Sequence, residues 1–273
     1  MNLLTFGDSW TEGIGGNISE EESVHSLEEK TKIRHKYCWP KHLSKLLNVE
    51  FENYGVGATS NYIIFNSICK LLSTKKINRD DFVIVMWTSP LREQHPFFPV
   101  EDEFHFWGKR YTDKKYLYDR VFSHIKGENE KYDKLKKEYK EFYISNLMND
   151  TYYDIVNQNY IIYLQYMFTE LGIRFLFVDA FDIMISPNII KEVDKTSFIK
   201  KEHYWNFSTK TCKDLLIETD RADVWQDYKK FVNTAGKHPN SNGYELIAHD
   251  LYNWIIDKNL LYYSTKTPES KLI

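Results

Sequence analysis

The chain has 273 residues, 42% of them hydrophobic, with only 11 glycines and 7 prolines; this suits one large domain with its own core and excludes a disordered polymer. Its 36 basic and 39 acidic residues leave a formal charge of -3, so no long-range field draws it to nucleic acid or to an anionic membrane. Three scattered cysteines, Cys38, Cys69 and Cys212, make neither a CxxC pair nor a metal-ligand spacing, which argues against a disulfide framework and fits a reducing compartment.

Residues 2–6 form an apolar run that reads as a strand and ends in Gly7-Asp8-Ser9. No basic segment followed by an apolar stretch and a cleavage site precedes it. No run elsewhere approaches the roughly 20 apolar residues that span a bilayer, so a cytoplasmic protein without membrane insertion is expected. Residues 13–36 are rich in Glu, Ser and Gly and read as a loop or partly helical insertion. Over 39–47, Leu43, Leu46 and Leu47 share a face and predict a helix. Residues 49–54 read as a short strand running into Gly55-Val56-Gly57. Residues 61–72 follow as a helix with Ile64, Ile68, Leu71 and Leu72 near one stripe. Residues 82–87 are apolar without alternation, the pattern of a parallel strand covered by helices on both faces.

Residues 96–147 break this repeat. They open on Phe97, Phe98, Phe104, Phe106 and Trp107 and pass into a charged stretch where Tyr132, Leu135, Tyr139 and Phe142 recur at helical spacing. An insertion over the sheet edge or the mouth of a site is expected, within a single domain spanning 1–273. Its aromatic residues suit core packing first, and a sugar or an acyl group second. A helix over 152–171 and a strand over 173–178, ending at Asp179, resume the alternation. A last helix over 243–256 carries Ile247, Leu251 and Ile255 inward, and Asn242 with Glu245 three residues on reads as its capping box. Strands separated by helices predict an open α/β sheet. Its site would lie where the turns after residues 6, 54, 87 and 178 gather, at the carboxyl ends of the strands.

Three segments carry candidate chemistry. Ser9 stands at a strand-to-helix turn, where a hydroxyl can project and backbone N–H groups can face developing negative charge. The small-residue turn from Gly55 through Gly57 to Asn61 can bring an N–H close to a ligand oxygen. His238 lies on a loop before the last helix, and an imidazole titrates near neutrality, as a general base requires. Nine histidines are present, but none falls in an HExxH arrangement, and His203 and His249 stand alone. Gly55-x-Gly57 lacks the third glycine of a dinucleotide fingerprint, and Gly13-x-x-Gly16 is no Walker loop. Neither a metal nor a cofactor is expected, and the lysine-rich segments are balanced by acids, so no nucleic-acid partner is expected either.

Gly7-Asp8-Ser9-Trp10-Thr11-Glu12-Gly13 resembles the first block of the GDSL/SGNH hydrolases, Asn53-Tyr54-Gly55-Val56-Gly57 their glycine block, and His238-Pro239-Asn240 with Gly243 their histidine block. The resemblance implies a flavodoxin-like three-layer α/β/α sandwich with a parallel sheet. It also implies a serine esterase acting on acetyl or acyl esters of small molecules, lipids or glycans. Ser9 would be the nucleophile and His238 the base. The Ser9 and Gly57 N–H groups would line the oxyanion hole, with Asp8 and Asn61 structural at the site. Two departures stand out. Where the family has Gly-x-Asn-Asp, this chain reads Trp87-Thr88-Ser89-Pro90, so the Ser89 hydroxyl, or that of Thr88, would replace the asparagine amide. The acid usually found three residues before the histidine is Ala235. A Ser9–His238 dyad is the leading expectation. Asp179 is the first candidate for an acid that folds back, with Asp182, Asp220, Asp223 and Asp227 behind it. The alternative is a non-catalytic module that uses the same cleft to hold a carbohydrate or a protein.

Overall fold

The computed structural model describes residues 1–57, 59–90, 92, 138, 142, 150–186, 191–220, 230–233 and 238–262. The insertion expected over 96–147, apart from the helical Glu138 and Phe142, lies outside the described residues, as do Ala235, Asp223 and Asp227.

Four parallel strands, β1 (Asn2–Gly7), β2 (Glu50–Gly55), β3 (Phe82–Trp87) and β4 (Arg174–Asp179), form a sheet in the order β2-β1-β3-β4. Leu3 lies opposite both Phe51 and Phe82, and Val83 lies opposite Phe175. Parallel neighbours need crossover connections. Helices α1 (Ser9–Glu12), α2 (Ile18–Glu22), α3 (Leu27–Tyr37) and α4 (Trp39–Leu47) precede β2, and α5 (Asn61–Ser73) joins β2 to β3. Helix α6 (Asp150–Glu170) leads into β4, and α7 (Cys212–Asp220) and α8 (Ser241–Asp257) follow it.

Because successive side chains on a strand point to opposite faces, the apolar runs divide between two cores. Leu3, Ile84, Met86, Leu176 and Val178 pack with Trp39, Leu43, Leu216, Ile247 and Leu251 from α4, α7 and α8. Leu4, Val83, Val85, Phe175 and Phe177 pack with Ile64, Ile68, Ile161, Leu164 and Phe168 from α5 and α6. All six side chains of β3 are buried, each stabilising the fold by about 1.5–3 kcal/mol relative to exposure for residues of this size. The result is the expected three-layer α/β/α sandwich with the strand order of flavodoxin-like sheets. The outer side of β4 is closed in part by Tyr204, which bridges Phe177, and by the Trp205 N–H, which donates to the Phe177 carbonyl at 2.9 Å.

One local expectation is narrowed and one corrected. Of the two readings of the polar stretch 13–36 the partly helical one holds: it folds as α2 and α3, capped by the side chains of Asn17 and Ser26. Ser26 Oγ caps α3 by accepting the Glu29 N–H at 3.1 Å and itself donates to Glu29 Oε2 at 2.8 Å. The last helix starts at Ser241, not Gly243, because Asn240 rather than Asn242 caps it by accepting the Gly243 N–H at 3.0 Å. Among the described residues, no helix is long and apolar enough to cross a membrane.

Candidate active site

In the order β2-β1-β3-β4 the chain adds strands on one side of β1 and then on the other, and ligand crevices in open α/β sheets form at the carboxyl end of such a switch in strand order. The turn after β1 begins with Asp8, which caps α1 through Oδ1, accepting the Trp10 N–H at 3.0 Å. Asp8 Oδ2 accepts the Thr88 hydroxyl at 2.7 Å and Arg92 Nη1 at 3.0 Å. The Asp8 and Arg92 side chains are both fully buried. Arg92 also donates to the Thr59 carbonyl at 3.2 Å and stands 5.0 Å from the centre of the Phe181 ring. Burial pushes the Arg92 guanidinium down to about 10, against the opposing pull of Asp8 and Asp182; it is still cationic at neutral pH. The turns after β1, β2 and β3 are thus tied through one buried cation.

Asn61, the first residue of α5, adds a second tie. Its Oδ1 accepts the Thr88 N–H at 2.9 Å, and its Nδ2 donates to the Thr88 and Ser89 carbonyls at 3.2 and 3.3 Å. Thr88 spends its hydroxyl on Asp8. The Ser89 hydroxyl is buried with no hydrogen-bond partner among the described residues.

Ser9 is the first residue of α1 and is only 4% exposed. Its Oγ lies 3.0 Å from His238 Nε2, a contact between residues 229 positions apart. The loop carrying His238 is fixed on both sides. Val232 and Pro239 form an antiparallel bridge, the Asn233 N–H donates to the His238 carbonyl at 2.9 Å, and the Asn240 N–H donates to the Phe231 carbonyl at 2.9 Å. Asn233 Nδ2 also donates to the Gly15 carbonyl. Gly15 has φ +89°, and a Cβ there would lie 2.8 Å from His238 Cβ, so the close approach requires glycine. A cleft of about 210 Å³ beside His238 is lined by Ile14, Gly15, Glu21, Arg34 and Asn233, among others.

The Gly57 N–H faces the same region, but it already has an acceptor. It donates to Glu12 Oε2 at 2.5 Å. Glu12 Oε1 is paired with Arg34 Nη1. Arg34 Nε in turn donates to Glu21 Oε2 at 2.9 Å, and Glu21 Oε1 accepts the Gly15 N–H at 3.0 Å. Burial lowers the Arg34 pKa, but its bonds to Glu21 and Glu12 outweigh this and raise it. The chain of contacts therefore runs from the glycine turn after β2, through α1 and α3, to the loop beside His238.

Asp179 ends β4, two strands from β1 or about 10 Å across the sheet. Its Oδ1 accepts the Tyr204 hydroxyl at 2.7 Å and its Oδ2 accepts the Met184 N–H at 3.1 Å. Both partners belong to the core on the α5 and α6 face, whereas His238 sits on the loop leading into α8, on the other face. Ser9, Gly57, Asn61, Asp8, Ser89 and His238 thus gather at the carboxyl end of the sheet, while Asp179 anchors the β4 turn. Arg92, Glu12, Glu21 and Arg34 did not stand out in the sequence. The capping-box pattern Ser26-Leu27-Glu28-Glu29 was the available signal for α3, which carries Arg34; nothing comparable marks Arg92. Among the described residues, no group of three His, Cys, Asp or Glu side chains could hold a metal ion.

Among solved structures, the chain is similar to a G-D-S-L family protein from Desulfitobacterium hafniense DCB-2, at 11% identity and a TM-score of 0.46, over 93% of this chain and 98% of that one. It is also similar to a member of the lipolytic protein G-D-S-L family from Veillonella parvula DSM 2008, at 16% identity and a TM-score of 0.44, over 93% and 97% of the two chains. No curated protein matches it. A family of unknown function, DUF6071, matches residues 21–269, a span that holds α3 through α8 and His238. The chain belongs to that family.

Proposed function

We propose that the protein is a serine hydrolase that cleaves a carboxylic ester, an acetyl or other acyl group carried by a small molecule or a glycan. The observation behind this reading is the 3.0 Å contact between His238 Nε2 and Ser9 Oγ at the carboxyl end of the sheet. A serine hydroxyl is a weak nucleophile until a base accepts its proton, and imidazole at hydrogen-bond distance is such a base near neutral pH. Ser9 Oγ attacks the ester carbonyl as His238 takes its proton. His238 then protonates the departing alkoxide, and afterwards deprotonates the water that hydrolyses the acyl-serine. The Ser9 and Gly57 N–H groups and the Ser89 hydroxyl are the donors to the oxyanion in this scheme, and one such donor is worth about 3 kcal/mol in other hydrolases. Asp8 and Asn61 shape the turns. The Ser9–His238 pair carries this scheme, and the Asp179 carboxylate accepts from the Tyr204 hydroxyl and the Met184 N–H.

A fluorophosphonate probe tests the reading. Wild-type protein should be modified at Ser9, located by peptide mass, and both Ser9→Ala and His238→Ala should abolish modification while folding normally. Well-folded wild-type protein that resists the probe would favour a second reading, a non-catalytic module binding a carbohydrate or a protein. One observation supports that alternative: the Gly57 N–H is taken by Glu12.

A further inference from the structure

The Glu12–Gly57 contact joins two groups whose proposed roles conflict. Glu12 lies three residues after Ser9 in α1, and the backbone N–H it engages is a donor that the hydrolase reading assigns to the oxyanion. An oxyanion and a side-chain carboxylate are both negative and both seek the same N–H, so they compete for it. The carboxylate holds the place securely. Its side chain is 9% exposed and its other oxygen is paired with Arg34, itself held by Glu21. The glycine turn is also tightly fitted, since a Cβ on Gly57 would lie 2.9 Å from Glu12 Oε2 and 4.0 Å from Ser9 Cβ. The same carboxylate has a second partner: Arg34 Nη1 already holds its Oε1, the oxygen that the Gly57 amide does not use.

We infer that Glu12 is a latch on the Gly57 amide. With Oε2 on the N–H the donor is closed to an oxyanion, and withdrawal of the carboxylate onto Arg34 opens it. Glu12 is therefore a positioning residue that governs whether the site has one of its backbone donors. The inference rests on the hydrolase reading, and two readouts keep the failures of the two apart.

The full chain and its Glu12→Ala and Glu12→Gln variants are compared by hydrogen exchange at the Gly57 amide and by the rate of fluorophosphonate labelling at Ser9. Thermal unfolding confirms that each is folded. Glu12→Ala should exchange the Gly57 amide at least about 10-fold faster and label Ser9 about 100- to 1,000-fold faster than wild type, the scale of one oxyanion donor. Glu12→Gln, which keeps the shape but is a weaker acceptor, should fall between them. It carries the test alone if the alanine variant does not fold. Unchanged exchange at Gly57 overturns the inference whatever the labelling shows. Faster exchange with unchanged or slower labelling at Ser9 overturns it as well. Faster exchange with no labelling in any form supports the latch contact and refutes the hydrolase reading instead.

Discussion

Replacing Arg92 with methionine should destabilise the protein by about 3–5 kcal/mol, the cost of leaving one partner of a buried ion pair uncompensated. Arg92 Nη1 is 3.0 Å from Asp8 Oδ2 and neither side chain is exposed. Two unit charges at that distance attract by about 5–6 kcal/mol at an effective dielectric of 20. Part of this is offset by removing the guanidinium's own burial cost, visible in its shift down to about 10. The Asp8 carboxylate would keep the Trp10 N–H and the Thr88 hydroxyl but no charge partner among the groups that bond it here. Urea unfolding followed by tryptophan fluorescence reads the loss as a midpoint about 1–2 M lower, for a slope near 2.5–3 kcal/mol per molar. The double variant Asp8→Asn, Arg92→Met removes the stranded charge and keeps a good N-cap, so it should recover at least about half of the loss. A single variant that loses under about 1 kcal/mol, or a double variant no more stable than the single, would refute this account of the pair.

Other expectations follow from the same contacts. Burial holds the His203 pKa below its ordinary value, although its Nδ1 contact with the Phe175 carbonyl at 3.1 Å opposes this. The unfolded chain therefore binds a proton first, and stability that is complete above about pH 6.5 is lost as pH falls through the lowered value, by at most about 1.4 kcal/mol per unit. His203→Gln should flatten the decline in unfolding midpoint between pH 7 and 5; the same slope in both proteins would count against it. Cys38 is pushed up to about 12 and Cys212 well up, both by burial. A thiol reagent should therefore reach Cys69 first in the native protein, and rapid reaction at all three would contradict the packing. Gly15→Ala meets both a positive φ and His238. It should cost about 1–3 kcal/mol and slow Ser9 labelling, whereas wild-type labelling would mean that Gly15 does not position His238.

The sequence was informative where burial is regular. The unbroken run over 82–87 marked β3, because a strand covered on both faces needs apolar side chains on both. Ser9 and His238 were visible as short blocks at turns, the places where a side chain can be aimed at a cleft. The stretch 13–36 was harder, because α3 buries only Ile33 and docks through Arg34 on Glu12 and Glu21. A helix held by buried ion pairs leaves no apolar stripe, and its caps were the remaining signal. Arg92 was unreadable for a related reason: a buried cation is recognised by the carboxylate it meets, here 84 positions away. The Glu12–Gly57 contact joins a side chain to a backbone N–H, a pairing that residue identity does not encode.

The distance in sequence between Ser9 and His238 has a consequence for synthesis. Chains are made from the N-terminus at about 5–20 residues per second, so His238 emerges about 10–50 s after Ser9. Throughout that interval the hydroxyl has no imidazole, and the nascent protein also lacks α8, whose Ile247, Leu251 and Ile255 complete one core. The His238 imidazole and the last layer of packing arrive together. A ribosome-bound or truncated chain would carry Ser9 without that contact, and the Ser9–His238 pair would come into being only as the sandwich closes.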